Sequence, residues 1–162
     1  MAPPSDQSEH PVRRARPAGA PAVAELHLTL TADWVAPSIA RERVAGWLRA
    51  HRWPPAQIEE LVLAVSEAVS NSVEHGYQVP TGALQHSDTI HAQAQVTVAD
   101  DGFRRAEFTV IDQGRWREPV HGAGNRGHGM LIMRTCTDGL TVQGTAAGTT
   151  VRMRSRPVPP LP

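Results

Sequence analysis

In the stretch "LVLAVSEAVSNSVEHGY", from Leu61 to Tyr77, four polar side chains interrupt a run of small and apolar ones: Glu67, Asn71, Glu74 and His75. Read as a helix, residues 67, 71 and 75 are successive i, i+4 neighbours, with Cβ atoms about 5–6 Å apart, so they share one space. A glutamate there supplies a base or a metal-bound oxygen. An asparagine supplies a neutral carbonyl oxygen and an amide donor. Mg²⁺ takes hard oxygen ligands, usually one or two from the protein, with phosphates and waters completing the shell. An asparagine one turn from a glutamate can therefore hold Mg²⁺ while the glutamate handles a proton. The plainer reading is a solvated polar face, and on this helix alone that reading wins, since polar helix stripes are usually solvated.

Three further stretches carry compatible chemistry. "FTVIDQG" sets Asp112 at the end of a strand with Gly114 just beyond it. A carboxylate there can accept from an exocyclic amine such as adenine N6, and a glycine lets a flat base approach the backbone. "NRGHGMLIMR" sets Gly127 and Gly129 at the start of an apolar helix, where free N–H groups and the helix dipole favour an anion. "GTAAGTTVRM" brings Gly148, Thr149 and Thr150 to the start of a strand, where a hydroxyl beside a nucleotide and plain hairpin chemistry are both sufficient readings.

The elements that must position these residues follow from periodicity. "AELHLTLTA" alternates at Leu26, Leu28 and Leu30 and predicts a strand. "APSIARERVAGWLRAHRW" has Ile39, Val44, Trp47 and Leu48 at helical spacing, with Pro37 and Ser38 at its start. A long helix opens at Pro54 and Pro55 and stops at Gly76, its apolar face made of Ile58, Leu61, Val62, Val65, Ala68, Val69 and Val73. "DTIHAQAQVTVAD" and "RRAEFTVID" are alternating runs around Asp100 to Gly102, a hairpin signal. "HGMLIMRTCTD" reads as a short helix, and "GLTVQGT" and "GTTVRMRS" as a last hairpin around Gly144 to Gly148. The expected fold is a two-layer α/β (α+β) sandwich: a mixed, mainly antiparallel sheet covered on one face by helices. Residues 1–24 read as a disordered Pro- and Arg-rich tail, 25–154 as the folded domain, and 155–162 as a second Pro-rich tail.

Composition narrows the classes. The 162 residues suit one domain, and 16 basic residues balance 16 acidic ones, so nothing global favours nucleic acid or an anionic membrane. Aromatics are 4% of the chain, too few for base-stacking platforms. Every basic residue is arginine, which excludes a P-loop lysine and Schiff-base chemistry. Cys136 is the sole cysteine, so an intrachain disulfide and a cysteine zinc site are excluded. No apolar run reaches the roughly 20 residues of a membrane span, and the N-terminus lacks a signal-type apolar core. The expectation is a soluble, cytoplasmic protein. "GAGNRG" satisfies G-x-G-x-x-G at 122–127, but no strand immediately precedes it and no parallel βαβ unit surrounds it. The eight histidines include no H-E-x-x-H, which leaves no metal hydrolase.

Taken in order, E-x-x-x-N on a helix, D-x-G after a strand, G-x-G before a helix and G-T at a strand resemble the GHKL ATPase superfamily and its Bergerat ATP-binding fold. The resemblance covers residues 25–154. "SEAVSNSVEHGY", "DQGRWREP" and "NRGHGMLIMRTCTD" are similar to actinobacterial anti-sigma-factor serine/threonine kinases of the RsbW and SpoIIAB type. The resemblance implies ATP and Mg²⁺ as cofactors. Asn71 would be the metal ligand and Glu67 the base that takes the proton of an incoming serine hydroxyl. Asp112 would bind the adenine amine, with Gly114 against the base and Thr149 close by. Gly127 and Gly129 would face the phosphates, with Arg126 and Met130 beside them and His75 at the helix end. Residues 115–126 would form a lid, with Arg115 and Arg117 near the polyphosphate and Trp116 closing it or capping the base. Arg41 matches a partner-contacting arginine of the sporulation member. Implied partners are a STAS-domain anti-sigma-factor antagonist, a sigma factor and a second copy in a homodimer, with no direct nucleic acid and no membrane. Gln113, Arg115 and Trp116 depart from the G-x-G-I run common elsewhere in the superfamily. Two other readings stay open: an inactive interaction module that sequesters a regulatory protein, and a histidine-kinase catalytic fragment. The second lacks a preceding phosphoacceptor helix.

Overall fold

The computed structural model describes residues 25–76, 88–114 and 128–162. The elements run β1 (Glu25–Thr31), α1 (Ala36–Ala50), α2 (Pro55–Asn71), a π-helical turn (Ser72–Gly76), β2 (Thr89–Val98), β3 (Arg104–Asp112), α3 (His128–Cys136), β4 (Gly139–Thr145) and β5 (Gly148–Arg154). The strands form a sheet in the order β1-β2-β3-β5-β4. Every described pairing is antiparallel, so the parallel component expected of a mixed sheet does not occur among them. β3 skips β4 to pair with β5, because the chain between them leaves the sheet to build α3 before returning as a hairpin.

Local chemistry explains the ends. Asp33 Oδ1 accepts from the N–H groups of Val35 (2.9 Å) and Ala36 (3.1 Å), which occupies two of the donors that open α1. The helix closes through Arg52, whose φ of 53° is left-handed. There Trp53 N–H donates to Leu48 O and Arg52 N–H to Arg49 O, a Schellman pattern without glycine. Pro54 then sits extended before Pro55, the first residue of α2, where a missing N–H costs nothing.

The helices lie on one face of the sheet, and the core fills the space between. Leu28, Leu30, Ile90, Ala92, Phe108, Val110, Val151 and Met153 face Val44, Leu48, Leu61, Val65, Val69 and Met133. β3 obeys a strict period of two: Arg104, Ala106, Phe108, Val110 and Asp112 are buried and the residues between them are not. The buried parity thus ends on a carboxylate.

The sequence reading set the folded boundary at residue 154, and the structure carries it further. Val158 is buried and bridges Arg104, each N–H donating to the other's carbonyl at 2.9 Å. Arg104 spans the seam: Nε donates to Pro159 O (3.1 Å), Nη1 to His51 O (2.9 Å), and its guanidinium lies 5.0 Å over the Trp53 ring. Ser155 Oγ accepts from Ala106 N–H and donates to Arg156 O. Prolines remove donors, but the segment needs only the N–H of Ser155 and Val158 to dock.

Candidate functional site

The C-terminal end of α2 carries Glu67 and Asn71, both partly buried. Gly129, in the first turn of α3, is packed against them. A methyl group built on Gly129 would lie 2.9 Å from Glu67 Oε2, 3.4 Å from Asn71 Nδ2 and 3.5 Å from Asn71 Oδ1. The first turn of α3 therefore abuts the glutamate and the asparagine, and glycine at 129 admits the Glu67 carboxylate without displacing it. Glu74, on the same stripe in sequence, is exposed. The side chain of His75 and all of Arg115, Trp116, Arg117, Arg126 and Gly127 lie outside the described residues.

The second half of the site is built around Asp112, 4% exposed and without a described basic partner. Oδ1 accepts from Gly114 N–H (3.1 Å) and Thr149 N–H (3.3 Å). Oδ2 accepts the hydroxyl of Ser72 at 2.7 Å. A carboxylate has about four lone-pair positions, so the three neutral donors satisfy most of it and leave one acceptor position on Oδ2 that none of the described residues fills. Thr149 stands opposite Asp112 in the β3–β5 register. That closeness depends on Gly148, whose φ is 138° and whose missing Cβ would fall 2.0 Å from Asp112 O. Gly114 is buried beside the carboxylate it donates to, and Met130 is partly buried against the core.

Ser72 escaped the sequence reading, although a signal was present. The buried residues of α2, Leu61, Val65 and Ala68, recur at helical spacing, and the next position on that stripe is 72. A hydroxyl there is 4% exposed and must find a partner. The π turn that begins at Ser72 was invisible in sequence; such turns often mark functional sites.

Arg41 stands apart from this cluster. It is exposed on α1, with Nη1 donating to Ser66 Oγ (3.2 Å) and Nη2 to Ser38 Oγ (2.9 Å), so two serines present its guanidinium at the surface. A shallow concavity of about 620 Å³ lies on the helix-free face of the sheet, lined among others by Glu25, His27, Gln95, Glu107 and Arg152. It contains none of Glu67, Asn71 or Asp112. Among the described residues no three histidine, cysteine or acidic side chains gather as a metal cage, and no helix is long and apolar enough to cross a membrane.

A nucleotide fits these residues: a buried carboxylate with one open acceptor, a helix start stripped of Cβ, and an amide and a carboxylate beside it. Residues 29–155 match the histidine kinase-like ATPase domain. The chain belongs to that family. Among solved structures, it is similar to the RsbU and RsbW domains of Rv1364c from Mycobacterium tuberculosis, at 28% identity and a TM-score of 0.59 over 85% of this chain and 34% of that one. It thus spans about a third of that protein. A histidine kinase domain from the Erythrobacter litoralis EL346 blue-light activated histidine kinase aligns at 23% identity over 64% of this chain and 46% of that one, with a TM-score of 0.45. The antiparallel sheet with helices on one face is the GHKL ATPase fold expected from the motifs.

Proposed function

We propose that this ATPase-family domain is a protein serine/threonine kinase that acts as an anti-sigma factor in the cytoplasm. It would phosphorylate a serine of a STAS-domain antagonist and bind a sigma factor, with Arg41 on the partner-facing surface and a homodimer as the working form. The observation that carries the reading is the seating of Gly129 on Glu67 and Asn71, which sets an anion-favouring helix start beside a base and a metal-type ligand. The similarity to the RsbU and RsbW domains supports the serine-kinase branch.

The roles follow from phosphoryl-transfer chemistry, in which positioning and charge neutralisation supply most of the catalysis. Asp112 would take the adenine amine on its open acceptor, with Gly114 under the base and Thr149 beside it. Gly127 and Gly129 would face the phosphates, flanked by Arg126 and Met130, with His75 closing the helix end. Asn71 would hold Mg²⁺ through its amide oxygen, and the ion would neutralise phosphate charge. Glu67 would take the proton from the serine hydroxyl as its oxygen bonds to the γ-phosphorus and the bond to the bridging oxygen breaks, leaving ADP.

Calorimetric titration of ATP with Mg²⁺ into the wild type and Asp112→Asn tests the pocket. Saturable binding lost in the variant is expected, because the substitution sets an amide donor against a ligand donor. A folded wild type that binds no nucleotide would leave an interaction module instead. Glu67→Ala should then keep ATP binding and lose phosphate transfer to a STAS serine; transfer at the wild-type rate would remove Glu67 as the base.

A further inference from the structure

Hydroxyls in helices usually turn back on their own backbone. Thr135 in α3 does, donating to Leu131 O (2.9 Å), and Thr137, just past the end of that helix, likewise donates back to Met133 O (2.6 Å). Ser72 does not. It reaches across the layers to Asp112, 40 residues away in sequence, with a 2.7 Å bond between two groups that are each 4% exposed. Nothing about closing a helix requires this contact.

We infer that Ser72 is a positioning residue that acts through Asp112 to make the pocket select a 6-amino purine over a 6-oxo purine. The inference rests on the nucleotide pocket proposed above. Oδ1 of Asp112 is committed to the N–H groups of Gly114 and Thr149, so it has no capacity left for a ligand. Oδ2 is turned toward the end of α2 and held there by the serine O–H. A serine hydroxyl has one proton and two lone pairs. With its proton spent on Oδ2, Ser72 has only acceptor character left, and the open position on Oδ2 is an acceptor too. Two acceptor oxygens 2.7 Å apart, with no free donor between them, favour an amine and repel a carbonyl. For Ser72 to greet a 6-oxo group it would have to rotate its proton away from Asp112 and strip a bond from a buried carboxylate. Leaving such a group under-satisfied is costlier than losing an exposed hydrogen bond. Ser72 thus fixes both the rotamer of Asp112 and the polarity of the surface the base meets.

The test is binding of three triphosphates with different purine edges: ATP (6-amino), ITP (6-oxo, with the N1–H that accompanies it) and purine riboside triphosphate (hydrogen at position 6). Each is titrated with Mg²⁺ into the full chain and into Ser72→Ala, with near-UV circular dichroism to check the fold. In Ser72→Ala, ATP affinity is expected to fall on the order of ten-fold, the effect of about one hydrogen bond to a charged acceptor. The preference for ATP over ITP should shrink by a similar factor, and purine riboside triphosphate should bind as to the wild type. Ser72→Thr keeps the hydroxyl and should restore the ATP preference. Ser72→Cys has nearly the size of serine but a weak donor and should fall between; it decides the matter if the alanine variant does not fold. Equal losses for all three nucleotides would mean that Ser72 is merely structural, and unchanged affinities would mean that it is idle; either overturns the inference while leaving the pocket intact. A folded wild type that binds none of the three overturns the pocket and the inference together.

Discussion

Gly129→Ala isolates the contact between the C-terminal end of α2 and the first turn of α3. The added methyl would sit 2.9 Å from Glu67 Oε2, against about 3.5 Å for a comfortable contact, so the carboxylate must yield by roughly half an ångström. Glu67 is partly buried and its carboxylate is the end of a flexible side chain, so it yields by leaving its rotamer well, at about 0.5–1.5 kcal/mol. Against that stands the helix preference of alanine over glycine, up to about 1 kcal/mol. The two nearly cancel, and Gly129→Ala alone should change stability little. In a Glu67→Ala background the clash is gone and the preference remains, so the same substitution should stabilise. The four proteins of this cycle, unfolded in urea, should show a coupling of about 1 kcal/mol, or about 2–4 °C in a parallel thermal melt. Asn71 supplies an internal control: its atoms lie 3.4 and 3.5 Å from the same methyl position, which is ordinary contact. The cycle with Asn71→Ala should therefore be additive within about 0.5 kcal/mol. Additivity in the Glu67 cycle as well would refute the claim that Gly129 is small in order to admit that carboxylate. If Glu67 is the base, Gly129→Ala should also slow phosphate transfer more than it weakens ATP binding, since a shift of this size matters more for reacting atoms than for a held ligand.

Gly148→Ala should be far more damaging. Its φ of 138° and a methyl 2.0 Å from Asp112 O leave the backbone no room, and a loss above about 3 kcal/mol is expected in denaturant unfolding. Arg104→Met leaves the carbonyls of His51 and Pro159 without their donor and should cost about 1–3 kcal/mol, with faster proteolytic trimming after Ser155 read by mass spectrometry. The Cys136 thiol is pushed up in pKa chiefly by burial, with Glu60 adding and Arg156 opposing. A group that holds its proton more tightly when folded stabilises fully below its ordinary pKa and loses that contribution as pH rises toward the raised value. Wild-type stability should therefore fall above about pH 8.5 more steeply than that of Cys136→Ala, and Arg156→Gln should slow the reaction of the thiol with a disulfide reagent at that pH.

Most of the elements were legible because their periods were clean. The apolar face of α2 and the alternation of β1, β2 and β3 each specify which side is buried, and the observed strands lie within a residue or two of those expected. On α1, Val44, Trp47 and Leu48 are buried as their spacing expects, whereas Ile39, expected on the same face, is 41% exposed and Ala36 and Ala40 take the buried positions of the first turns. The pairing of β3 with β5 was not legible, since it depends on where the β4–β5 hairpin docks on the sheet, and no local pattern encodes that. The docking of residues 155–160 was hidden by composition: prolines suggested a tail, whereas the anchors are a single buried valine, Val158, and the Arg104 guanidinium supplied from elsewhere.

The site shows the same division more sharply. Glu67 and Asn71 stand out in the sequence because their residue types break an apolar run, whereas Ser72 does not, because serine in a helix is unremarkable by type. Position, not type, was the informative property. Carrying the helical period of α2 one step past Ala68 reaches Ser72, and carrying the strand period of β3 one step past Val110 reaches Asp112. Both steps land on a polar group inside the layer that the preceding residues bury. A lone buried polar group costs free energy, while two at the ends of facing apolar stripes can satisfy each other. The hydrogen bond between Ser72 and Asp112 is thus the consequence of two periodicities running out at the same place. The open acceptor of Asp112 then lies beside the last apolar residues of both stripes, where a ligand would meet the core.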